Sequence, residues 1–236
     1  DDASLPGLCR DGDRQLKSTK RADQDKWVMH LRENEDAAWR VVMDPNTWES
    51  TQTLAGFSTS RDCTMVAYGV ANAGDENPQL HIMDLDTLEV HDDTFQGWKQ
   101  GGVNWLPDGS GFYYSSKPLE GEVEEGGHFY WHRTWFHTLG NQADADTLAF
   151  ADTEVKEHYN SVGVSEDGAW LTLHRGMFNK SELWIQSTKA DSQPVEMVTG
   201  MDAEYSSFIV DDSIYIHTDW EAPNYRLMMT TVDKPQ

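Results

Sequence analysis

Cations are scarce in this sequence: 18 Lys and Arg stand against 41 Asp and Glu, a net charge of −23. A surface of that sign repels phosphate backbones and anionic membranes, so neither nucleic acid nor a membrane is an expected partner. It favours solubility and attracts cationic peptides. No run of apolar residues approaches the ~18 needed to span a bilayer as a helix. The opening Asp1-Asp2-Ala3 lacks the charged-then-apolar pattern of a secretory leader, and cytoplasmic, periplasmic and secreted locations all stay open. Cysteine is nearly absent. Cys9 and Cys63 form neither a disulfide framework nor a metal site by spacing, and they read as ordinary thiols.

What is present is aromatic and repetitive. Ten Trp, eight Tyr and eight Phe supply large apolar surfaces for a core. A short turn rich in Asp and Gly recurs at Asp11-Gly12, Asp62-Cys63, Asp108-Gly109, Asp167-Gly168 and Asp211-Asp212. An apolar strand follows each of the last four: Met65–Tyr68, Gly111–Tyr114, Ala169–Leu173 and Ser213–His217. Asp-Gly between β-rich runs supplies the positive φ that tight hairpins need. The intervals are 51, 46, 59 and 44 residues, and the long one holds an acidic, glycine-rich insertion at 120–127. A period of roughly 40–50 residues with several strands per repeat is a propeller signature.

Each repeat also carries an inner strand before the turn and a third strand after it, the latter seen at 26–31, 80–85, 135–139, 183–186 and 225–229. Outer strands are expected at 39–43, 147–150 and 195–198. The fold class is therefore all-β: an incomplete β-propeller of about four blades with four antiparallel strands each, and a ragged start. Residues 1–26 are expected to be an irregular start of the first blade, because the stretch after the first turn shows little alternation. Residues 27–236 form the partial propeller domain.

Little here points to chemistry. A serine nucleophile on a strained turn is usually written Gly-x-Ser-x-Gly. Gly56-Phe57-Ser58 and Gly163-Val164-Ser165 lack the second glycine and fall on an inner strand and its turn. His128, His132 and His137 lie close together beside Glu124 and Glu125, but on a strand the spacing of four keeps one face and the spacing of five turns to the opposite one, which disfavours a metal site. His30, His81 and His137 occupy similar places in three repeats, a structural preference of that strand. The carboxylate pairs Asp92-Asp93, Glu124-Glu125 and Asp211-Asp212 read as solvated turn residues. No cofactor and no metal is expected, and no catalytic residue is assigned.

Several segments resemble the prolyl oligopeptidase family of serine peptidases. They are Val41-Val42-Met43-Asp44-Pro45-Asn46, the run Trp105–Tyr114, Phe136–Gly140 followed by Asp146-Thr147-Leu148, and Ala222-Pro223-Asn224-Tyr225-Arg226-Leu227. The resemblance extends from about Leu5 to Val232. It implies a seven-bladed propeller capping a separate α/β-hydrolase domain that carries the serine, aspartate and histidine. This chain would then supply about four of the seven blades and no active site of its own. Its implied partners are the hydrolase domain of the same parent and short peptide substrates, with the propeller restricting access. Two pocket-lining positions carry over. Aligned on Trp105, a family aromatic falls on Gln100. Aligned on Gly176 and Trp184, a family cysteine falls on Met177. The other readings are a stand-alone propeller binding a peptide or protein, and a propeller of the oligopeptidase B or dipeptidyl peptidase type.

Overall fold

The computed structural model describes residues 2–73, 78–93, 95, 98–119, 121–151 and 154–235. Within them the strands form five antiparallel sheets, each built from consecutive strands in sequence order. The first holds β1 (Ala3–Leu8), β2 (Gln15–Lys20), β3 (Val28–Arg32) and β4 (Arg40–Met43). The second holds β5 (Gln52–Thr59), β6 (Met65–Asn72) and β7 (Gln79–Asp84). The third holds β8 (Trp98–Trp105), β9 (Gly111–Ser116), β10 (Arg133–Thr138) and β11 (Thr147–Ala151). The fourth holds β12 (Tyr159–Val164), β13 (Trp170–Met177), β14 (Lys180–Ser187) and β15 (Val195–Val198). The fifth holds β16 (Tyr205–Val210), β17 (Ser213–Thr218) and β18 (Arg226–Thr231). Helix among the described residues is confined to single 3-10 turns such as Pro45–Thr47.

The recurring turn has a specific cause. Ser60 Oγ donates to Asp62 Oδ1 at 2.7 Å and accepts from the Met65 amide at 3.0 Å, while the Thr64 amide donates to Asp62. Ser165 and Asp167 repeat the arrangement at 2.7 Å, with the Trp170 amide on Ser165 Oγ at 2.9 Å. Hydrogen bonds from Ser165 and the Ala169 amide hold the Asp167 carboxyl below the usual range, and Ser110 does the same for Asp108. The residue after Asp11, Asp62, Asp108 and Asp167 takes a left-handed conformation: φ is 80° at Gly12, 71° at Gly109 and 73° at Gly168, whereas in the last turn Asp211 itself does so at 52°. Cys63 occupies the same place at φ 53°. Glycine reaches that region without penalty, whereas a side chain there is strained.

Two cysteines read as free thiols are joined. Cys9 and Cys63 form a disulfide with 5.6 Å between their Cα atoms. Spacing along the chain, 54 residues, concealed this. Both lie in the turn that links the first two strands of their sheets, and packing brings those turns together. The Asp11 amide donates to the Arg61 carbonyl at 2.9 Å, and Arg61 Nε meets Asp11 Oδ2 at 3.0 Å. Around the disulfide, Leu16, Met29, Leu31, Val66 and Leu85 are buried in one core. Each such side chain stabilises the fold by about 1.5–3 kcal/mol.

The first 26 residues contain two regular strands instead of an irregular start. Ala3 pairs with Lys20 and Leu8 with Gln15, and β2 pairs onward with β3. Alternation is weak because polar side chains do the packing. Thr19 Oγ1 bonds His30 Nε2 at 2.8 Å, and Lys17 Nζ sits 4.3 Å from the Trp39 ring centroid. Only Leu16 is buried in β2.

By internal contacts the chain divides into Asp1–Gly102 with Gly140–Asp144, and Val103–Leu139 with Ala145–Gln236. In the second unit Leu183, Ile185, Tyr205, Ile209, Ile214 and Ile216 form one buried cluster. Val162, Leu171 and Leu173 form another, flanked by Phe150 and Trp184.

Candidate functional site

The serine look-alikes are structural. Gly56, Phe57 and Ser58 all lie inside β5, and Ser165 uses its hydroxyl in the turn described above. The three neighbouring histidines go to three places. His128 packs on Phe129, buried His132 stacks on Tyr159 with 4.3 Å between centroids, and His137 is buried with Nδ1 2.8 Å from Asp146 Oδ1. Among the described residues no group of three or more His, Cys, Asp or Glu is placed to hold a metal. Glu124, Glu125, Asp211 and Asp212 are exposed. Asp93 is not the solvated turn residue expected: it is buried, where the segment beyond β7 folds back and Phe95 bridges Leu80.

Met177 ends β13 and lines an open cleft of about 340 Å³ in the second unit. The cleft lies where the ends of β12–β14 meet those of β16–β18, and Tyr159, Phe178 and Tyr225 contribute aromatic walls. Phe178, at the tip of the hairpin joining β13 to β14, is 90% exposed with φ 50°. Tyr225 is also left-handed, φ 61°, and stacks on His217 with 4.7 Å between centroids and 8° between planes. Its hydroxyl donates to Glu204 Oε2, which raises the phenol's pKa. At the base, Ser181 Oγ donates to the Tyr205 carbonyl at 2.8 Å. Gln100 lies on β8, and its side chain is outside the described residues.

A second cleft, about 270 Å³, is lined by Leu5, Trp27, Met29, Leu54 and Phe57 in the first unit. Among the described residues that line it none is acidic or basic, and Ser18 brings the one hydroxyl.

Sequence reasoning named Met177 but missed its neighbours. Tyr159, Glu204 and Tyr225 are scattered across two repeats, and only sheet packing brings them together. One signal was available: Phe178-Asn179 falls between paired Met177 and Lys180, which makes a two-residue turn with an aromatic in it.

The model of the prolyl oligopeptidase N-terminal beta-propeller domain matches residues 1–236. The chain belongs to this family. A prolyl endopeptidase of Elizabethkingia meningoseptica is 33% identical over 209 residues, covering 85% of this chain and 29% of that protein. Prolyl oligopeptidase A of Galerina marginata is 23% identical over 228 residues, covering 82% and 30%. The chain thus spans under a third of the curated relatives it matches. Among solved structures, one from a study of two prolyl endopeptidases and their inter-domain dynamics superimposes with a TM-score of 0.92 at 24% identity, covering 100% of this chain and 35% of that one. Prolyl oligopeptidase B of Galerina marginata, bound to a 35-residue hydrolysis and macrocyclization substrate, gives 0.88 at 20% identity, covering 99% and 36%. The five sheets are those of a prolyl oligopeptidase propeller domain, with the ragged start of the repeat forming the first of them.

Proposed function

We propose that this chain is the non-catalytic propeller part of a prolyl oligopeptidase-like serine endopeptidase, restricting the access of peptide substrates to a separate α/β-hydrolase domain. Catalysis would reside wholly in that partner domain. Met177 would line a wall that substrate passes, and Gln100 would be a separate pocket-lining position. The observation that carries this reading is the position of Met177: it lines an open, aromatic-walled cleft in a chain of this family. A thioether adapts its shape to varied apolar side chains, as a wall meeting many peptides requires. A cleft with aromatic walls and convergent polar groups suits ligand binding in general.

The test has two arms. The chain is incubated with proline-containing chromogenic peptides and with a serine-directed covalent probe, and neither turnover nor labelling is expected. Stoichiometric labelling of any serine contradicts the reading. A coding sequence that supplies Gly-x-Ser-x-Gly beyond Gln236 supports it, and one without a hydrolase domain favours the stand-alone binding module.

A further inference from the structure

Two non-glycine residues in the left-handed region flank one cleft, and both are aromatic. Phe178 and Tyr225 hold φ values of 50° and 61°. Such conformations cost about 1–3 kcal/mol each and cluster at ligand-binding and switch positions. Phe178 is exposed almost completely, and Tyr159 is 47% exposed on the same cleft. A surface that only needed to be soluble would not hold large rings in this way.

The charges in and around the cleft are unequal. Lys180, its lining cation, is paired with Asp202 at 2.8 Å. The neighbouring Arg226 guanidinium lies over the Trp220 ring, 4.9 Å from its centroid. Glu204 is half-buried, and one carboxylate oxygen accepts from the Tyr225 hydroxyl. Its other oxygen has no hydrogen-bond donor among the described residues. Asp219 adds a second carboxylate beside it, accepting from the Glu204 amide at 2.7 Å. Ring faces are negative at their centres and attract cations, most strongly where water is partly excluded.

We infer that this cleft selects peptide segments carrying a lysine or arginine side chain, with Glu204 as the charge-reading group and Tyr159, Phe178 and Tyr225 as the faces that hold the aliphatic stem. The inference rests on reading the cleft as a peptide-binding wall, and adds to it a preference in substrate charge. The chain's net charge of −23 acts in the same direction, drawing cationic peptides to the surface before they dock.

The experiment is calorimetric titration of the chain, and of Glu204→Gln, with two short proline-containing peptides identical except that lysine in one is norleucine in the other. The glutamine keeps an acceptor for Tyr225, so the fold is maintained. At low salt the lysine peptide is expected to bind the unaltered chain about fivefold more tightly or better, a difference typical of one partly desolvated cation contact. In Glu204→Gln that preference should fall within about twofold while affinity for the norleucine peptide stays the same. Equal binding of both peptides to the unaltered chain overturns the charge preference and leaves the peptide wall standing. A preference that survives in Glu204→Gln overturns the role of Glu204. No binding of either peptide overturns the wall and the preference together.

Discussion

The Trp98 indole lies so close over Gly69 that a Cβ built there would fall 2.1 Å from Cζ3 of the ring. Trp98 is buried at the start of β8, and Gly69 is buried in the middle of β6, with ordinary strand backbone. Glycine is needed here for space and not for conformation. Gly69→Ala should therefore destabilise the chain by about 1–3 kcal/mol, the usual cost of overpacking. Urea denaturation checks this, and an unchanged midpoint would show that Trp98 is free to move aside.

The Cys9–Cys63 disulfide closes a 54-residue separation. In the chain-entropy model a loop of that size contributes about 4 kcal/mol. Under reductant, or in a Cys9→Ser/Cys63→Ser double variant, the melting temperature should fall by roughly 10 °C. Mass spectrometry after alkylation in denaturant without reductant should find no modified cysteine. Two alkylated thiols in protein matured under oxidising conditions would refute the bond.

How far the sequence could be read follows from these same residues. Turn chemistry was legible because Asp62, Asp108 and Asp167 each accept hydrogen bonds from their own turn, a local interaction that leaves a local pattern. The disulfide was not, although Cys63 stands in a turn position that elsewhere holds Gly12, Gly109 or Gly168. A strained cysteine in a glycine position is a signal, but pairing it with Cys9 needs the packing of one sheet on the next. Strand β2 escaped notice because Lys17 and Thr19 pack through polar groups. The cleft followed the same rule: Met177 came from a linear alignment, whereas Glu204 and Tyr225 reach it through sheet packing.

His137, Asp146 and Tyr114 form a buried polar group in the second unit. Asp146 accepts from His137 Nδ1 and from the Tyr114 hydroxyl, each at 2.8 Å. Burial, and then the Asp146 carboxylate, push the Tyr114 phenol well above its ordinary pKa. Asp146→Ala removes the acceptor from two buried donors and should cost about 2–4 kcal/mol. Tyr114→Phe removes one hydroxyl and should cost about 1 kcal/mol. Equal effects of the two substitutions in chemical denaturation would contradict this ranking.

His174 gives the stability a pH dependence. Burial pushes its imidazole from 6.5 down to about 4, while Nε2 lies 3.2 Å from Ser207 Oγ. Between those values the unfolded chain binds the proton and the folded chain does not. Stability is therefore full above about pH 6.5 and declines as pH falls toward about 4, by at most ~1.4 kcal/mol per unit and less to the extent that solvent reaches the ring. His174→Asn should reduce the slope here, and the part due to His30 and His81, whose imidazoles burial also pushes down, should remain. The depressed carboxyls of Asp108 and Asp167 act at lower pH and would remain. A profile between pH 4 and 6.5 that is the same with and without His174 would contradict the assignment.

The central claim is that this chain meets peptides without cleaving them. Methionine-methyl NMR tests it in one sample, by following Met177 during titration with a proline-containing peptide whose own signals report its integrity. The account predicts a saturable shift of the Met177 methyl with the peptide intact throughout. A Met177 signal that never moves, or peptide signals replaced by those of cleavage products, would contradict it.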